Sequence, residues 1–173
     1  MKKQKGFSLI ELLIVVAIIL IIAAIAIPNL LRAKIAANEA SAVGSMRTII
    51  TAEVSYAAAG WTDGGTPPVQ VGFSAALKDL GPNGGTCAPP TSTQTCYIDN
   101  VLAGATQAAP KSGYFFDYAP QAANGTATNI GFQLHGNPAA PGQTGNRYFY
   151  ADASGVIRFN PAGSASSTDN PLQ

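Results

Sequence analysis

The hydrophobic pattern divides the chain near residue 60. From Phe7 to Leu31 there are 25 residues in which Glu11 is the only charge, and the sixteen from Leu12 to Ile27 are all Ala, Val, Ile or Leu. About 20 apolar residues in a helix, at ~1.5 Å each, cross the hydrocarbon core of a bilayer. The run is long enough to span. Residues 29–59 are alanine-rich and free of proline. There Val43, Met46, Ile50, Val54 and Ala57 recur at helical spacings, while Arg32, Lys34, Glu39, Arg47 and Glu53 fall at other positions. The pattern predicts one helix over about residues 7–59. Its first part, 7–31, is apolar all round, and its second, 32–59, has a single stripe fit to lie on a globular head. Pro28 lacks an N–H and clashes with the preceding turn, at a cost of about 3 kcal/mol in a helix interior. A kink is expected there, with Gly44-Ser45 a weaker point.

Beyond Gly60 the periodicity changes. Residues 60–173 are rich in Gly, Pro, Thr and Ser, with short apolar runs. Phe73–Leu80, closed by Gly81-Pro82, reads as a short helix and its stop. Four strands are expected at 114–118, 130–134, 148–151 and 156–159, the last two joined by a turn at Asp152–Gly155. The fold class is therefore α+β, with the second half of the long helix packed on an antiparallel sheet of about four strands. Phe116, Phe132 and Phe149 are expected in its core. The segment 162–173, small and polar, reads as a surface strap or a loose end.

Charge narrows the function. Only 11% of residues are charged, against the usual quarter or so. Lys2, Lys3 and Lys5 supply three of the ten positive charges, and the rest of the chain carries a net −2. No basic patch is available to bind a phosphate backbone, so no nucleic-acid binding is expected. The lysines precede the apolar run and outnumber Arg32 and Lys34 behind it, which orients the N-terminus to the cytoplasm. A cleaved secretory signal has a shorter apolar core and a small-residue cleavage site. Here Pro28-Asn29-Leu30-Leu31-Arg32 follows instead, and the helical pattern continues. Cys87 and Cys96 flank a loop. They form a disulfide if the domain lies outside the cytoplasm, or two thiols if it does not.

Catalytic chemistry is thin. His135 stands in a turn-like His-Gly-Asn-Pro setting and reads as exposed. No paired carboxylates, metal-spaced cluster or nucleophile motif is evident, so no enzyme, cofactor or metal site is expected. Asp152 has too few acidic neighbours for a calcium site, and Asn124-Gly125-Thr126 is a sequon of a kind frequent by chance.

Lys5-Gly6-Phe7-Ser8-Leu9-Ile10-Glu11, followed by the aliphatic run, resembles the class III leader of type IV prepilins and type II secretion pseudopilins. The resemblance is carried by residues 2–32 and fades to architecture in the head. It implies that a prepilin peptidase removes residues 1–6 by cutting between Gly6 and Phe7, and that the same enzyme N-methylates Phe7. The helix is then kept, first in the inner membrane and later in a homopolymer built by pilus or secretion machinery. Glu11 has two readings. It stands three residues after Ser8, a capping-box spacing. The resemblance adds a second role in assembly: pairing with the Phe7 amine of a neighbouring subunit, an amine that exists only after cleavage. Pro28 corresponds to a proline at which the family's helix loosens in the filament. The implied function is a structural subunit of a surface filament. A pseudopilin of a type II secretion system, or a minor tip-located binding pilin, remains an alternative. Many pilins place their disulfide near the C-terminus, whereas Cys87 and Cys96 lie mid-chain.

Overall fold

The computed structural model describes residues 7–63, 67–84, 87, 89–123 and 128–172. The sequon at Asn124 and the leader residues, Gly6 among them, lie outside these ranges. Residues to Lys34 form one compact unit and residues from Ile35 onward a second. Helix α1 is Leu9–Ala58, 50 residues long, and it stays helical through Pro28.

In the second unit, the helix from Ile35 onward carries the core. Ala42, Met46, Ile49, Ala52 and Tyr56 are each 4% exposed or less, and they pack with Phe116, Phe132, Leu134 and Phe149 of the sheet. This seam differs from the expected stripe. Val43 and Met46 lie in it, but Ile50 is only partly buried and Val54 is 59% exposed. The seam is rotated because Glu39 and Glu53, expected on the outer face, are buried. Each finds hydrogen-bond donors in the head, which makes its burial tolerable.

Four strands form an antiparallel meander in the order β1-β2-β3-β4. They are β1 (Tyr114–Ala122), β2 (Asn129–Pro138), β3 (Tyr148–Asp152) and β4 (Arg158–Asn160). All four expected strands exist, with moved ends. β1 and β2 run several residues longer than expected. β4 begins at Arg158, which leaves Val156 and Ile157 in the connection. Asp152–Gly155 closes the β3–β4 turn, with Gly155 N–H donating to the Asp152 carbonyl at 2.9 Å and Gly155 at a φ of 76°. Gly136 in β2 lets the helix approach. A Cβ there would lie 3.1 Å from Met46 Sδ and 3.4 Å from the Phe116 ring.

Two further expectations are corrected. The helix proposed for 73–80 is a single 3₁₀ turn, Leu77–Leu80. Ala76, at φ −155° and ψ 153°, is extended and breaks the helix before Leu77. His135 is not in an exposed turn. It lies within β2, opposite Asp117 and Tyr150, half-buried with its ring 5.2 Å from that of Tyr150. A short helix that the apolar pattern did not announce, α2 (Asn100–Ala103), is capped by Asp99, which accepts from Leu102 N–H at 2.8 Å. The C-terminal segment is a strap. Phe159 N–H donates to the Asn170 carbonyl, Leu172 N–H donates to that of Ile157, and Ala165 is 2% exposed.

Candidate assembly segment and the head it carries

The helix start is built locally. Ser8 precedes the first helical residue, and its carbonyl accepts from Leu12 N–H at 3.3 Å. Its own N–H donates to Glu11 Oε2 at 2.9 Å. That is the carboxylate half of a capping box. In the single chain Glu11 therefore acts as a cap, on a solvent-exposed side chain. Phe7 beside it is 81% exposed. Along the unit to Lys34 every large apolar side chain is exposed, from Leu9 at 81% to Leu31 at 46%. The helix is long and apolar enough to cross a membrane. At Pro28 the Ala24 carbonyl lacks its usual N–H donor.

The second unit is held by two buried acids that a periodicity reading misplaced. Glu39 accepts from the backbone N–H groups of Asn146 (2.8 Å) and Arg147 (3.2 Å), and its Oε2 pairs with Arg147 Nε at 2.7 Å. The Arg147 guanidinium also lies over the Phe149 and Phe159 rings. One carboxylate thus ties the helix to the start of β3. Fourteen residues on, Glu53 has no ion-pair partner among the described residues. It accepts from the Ser74 N–H and hydroxyl. The Tyr118 hydroxyl donates to the Ser74 carbonyl at 3.0 Å, and Asn129 Nδ2 donates there too. Burial pushes the Glu53 carboxyl above its usual value, and the Ser74 hydrogen bonds only partly offset this. Burial likewise raises Asp79. It also pushes the Tyr56 hydroxyl up to about 12, helped by the nearby Asp79 and Glu53 carboxylates. One signal for this arrangement was present in the sequence: Glu39 and Glu53 each stand seven residues from Met46, which puts all three on one helix face.

Cys87 and Cys96 are joined as a disulfide, with their Cα atoms 5.8 Å apart. Within the loop they close, the Ser92 carbonyl accepts from the Tyr56 hydroxyl at 2.7 Å. In the same loop, Thr95 N–H donates to the Asp79 carbonyl. The bridge thus holds a loop against the end of α1. Asp152 is engaged by the turn, with Oδ1 accepting from Ser154 N–H at 2.9 Å. Burial would raise its carboxyl, but the Ser154 and Tyr150 hydrogen bonds and Arg158 hold it below the usual value. Among the described residues no three His, Cys, Asp or Glu side chains converge as metal ligands.

Residues 1–27 match the family model described as the prokaryotic N-terminal methylation motif. In this N-terminal segment the chain is similar to type IV pilins. The chain is 51% identical over 57 residues to the type IV wide pilus major component PilA4 of Thermus thermophilus, which covers 33% of this chain and 37% of that one. It is 44% identical over 54 residues to the type IV major pilin protein PilA of Myxococcus xanthus, which covers 31% of this chain and 24% of that one. The chain thus spans well under half the length of the curated pilins it matches. No solved structure matches it. The long helix and four-stranded antiparallel sheet are consistent with a pilin fold, while the head rests on its own contacts rather than on a relative's.

Proposed function

We propose that this chain is a structural subunit of a type IV pilus. The observation that carries the reading is the N-terminal methylation motif at the head of a helix whose large apolar side chains are all exposed as far as Leu31. Such a helix requires either lipid or copies of itself. In the proposal, residues 1–6 are a leader removed between Gly6 and Phe7, and Phe7 is then N-methylated. Residues 7–31 anchor the precursor in the inner membrane, N-terminus cytoplasmic, and later form the filament interior. Residues 32–59 carry the head, 60–173.

Glu11 then changes partner. In the precursor it caps the Ser8 N–H. After cleavage, the Phe7 ammonium of a neighbouring copy supplies a cation for a carboxylate that costs about 2.5–3.5 kcal/mol to insert in lipid. Pro28, already short of one backbone hydrogen bond, is the position where the helix loosens on assembly.

Mass spectrometry of the chain from its native host tests the processing. The expected N-terminus is N-methylated Phe7, and Gly6→Val leaves the precursor uncut. Glu11→Ala is expected to be cut and inserted but to yield few filaments. Electron microscopy of sheared surface material, labelled for this chain, should show long fibres. An unmethylated chain beginning at Met1, or wild-type fibre yield from Glu11→Ala, overturns the corresponding step. Label confined to the periplasm rejects the pilus in favour of the pseudopilus.

A further inference from the structure

The sheet has two edges, β4 and β1. The β4 edge is covered by the strap, through Phe159 N–H to Asn170, Leu172 N–H to Ile157 and the antiparallel bridge of Arg158 with Pro171. The β1 edge is covered only along its first residues. Tyr114 exchanges two backbone bonds with Lys111, at 2.8 and 3.0 Å, and Phe116 N–H donates to the Ala105 carbonyl at 3.0 Å.

Those bonds set the parity of the strand. Phe116 lies opposite Gly136 yet donates away from β2. In an antiparallel pair, inward and outward backbone groups alternate. Tyr118 and Pro120 therefore also face outward, while Asp117, Ala119 and Gln121 bond to β2. A register shift at Gln121/Ala122 ends the regular edge. Residues 119–122 are exposed, and among the described residues no backbone partner faces Tyr118 or Pro120. Of these two outward positions, the second has no N–H to offer.

We propose that Pro120 blocks strand-to-strand pairing between two copies of this chain at the β1 edge, a stretch of sheet edge with no backbone partner among the described residues. An unpaired edge is a template for a second strand, and proline is tolerated there because its missing N–H faces away from the sheet. At 119 or 121 the same residue would remove a bond to β2. At 120 it removes only a bond to a stranger. The block matters wherever heads are crowded, and it holds whether or not residues 7–31 polymerise.

The test compares the full chain in detergent micelles with Pro120→Val and Ala119→Val, by sedimentation and amide exchange. Pro120→Val restores an outward N–H and is expected to associate at a concentration about tenfold lower, since each copy contributes one new bond. The Tyr118 amide should become protected in the associated species. Ala119→Val adds similar apolar surface with no outward N–H and should sediment as wild type. A folded Pro120→Val chain that stays dispersed like wild type overturns the proposal. Equal association of Ala119→Val also overturns it, by assigning the effect to apolar surface. Where Pro120→Val lowers the melting temperature, exchange at Tyr118 in the folded fraction decides. Concentration-dependent protection supports the block, and concentration-independent exchange refutes it.

Discussion

The two parts of α1 invert the usual relation between hydrophobicity and burial. Up to Leu31 the helix is nearly pure aliphatic, and its large side chains are exposed, as with Ile25 at 66% and Leu30 at 71%. From Ile35 onward it is mixed, and there even Glu39, Ser45 and Glu53 are buried. The difference lies in what the chain itself supplies. A polar side chain can be buried where the head offers donors of matching geometry. An apolar side chain is covered only where a complementary surface exists, and the large ones of residues 9–31 are exposed. The first part is thus incomplete as a monomer and the second complete.

The comparison breaks most sharply at Met46, which is fully buried between helix and sheet. Met46→Ala is expected to destabilise the head by about 2–5 kcal/mol, read as a lower denaturation midpoint by circular dichroism. Glu39→Ala comes next. It leaves Arg147 and two backbone N–H groups without their acceptor, and since Arg147 is partly exposed the expected loss is about 2–3 kcal/mol. A midpoint unchanged from wild type would show that water replaces the carboxylate freely.

Glu53 predicts a pH dependence of smaller size. Its folded pKa is raised above the usual 4.5, so the folded state holds the proton more tightly than the unfolded one. That contribution to stability is fully present below about pH 4.5 and is lost as pH rises through the folded value. Glu53→Gln should flatten the melting temperature against pH in that window. A residual slope of the same sign remains from Asp79, which is raised as well. The smallest effect is expected at Ile18→Ala, within about 0.5 kcal/mol for head stability, because Ile18 is 52% exposed. The same substitution should weaken self-association if the proposed function is right. Loss of head stability from Ile18→Ala would erase the contrast between the two parts.

Much of the fold was legible because it is local. Sixteen consecutive aliphatic residues can form little else in lipid. The Gly6-to-Glu11 spacing is a pattern in one dimension, and Asp152–Gly155 announces its own turn. Illegible features depended on partners far away in sequence. Glu39 is acidic and helical, so periodicity placed it outside. Its burial is decided by Asn146 and Arg147, more than a hundred residues on. Ser74 is held by a carboxylate 21 residues earlier, and the helical turn begins only after the extended Ala76. His135 looked like a turn residue because Gly136 follows it. In the sheet that glycine serves to admit Met46, a contact invisible along the chain.

The amino-acid sequence by itself determined a helix that cannot be satisfied alone, the motif at its head, and a four-stranded head behind it. These follow from short-range sterics and from the count of apolar residues, which act over one turn or one strand. Tertiary structure alone decided which face of the helix is inside, where the two carboxylates find their donors, and that Pro120 falls at an outward-facing position of the β1 edge. Each of these depends on pairing groups distant in the chain, and only the folded geometry states which donor meets which acceptor.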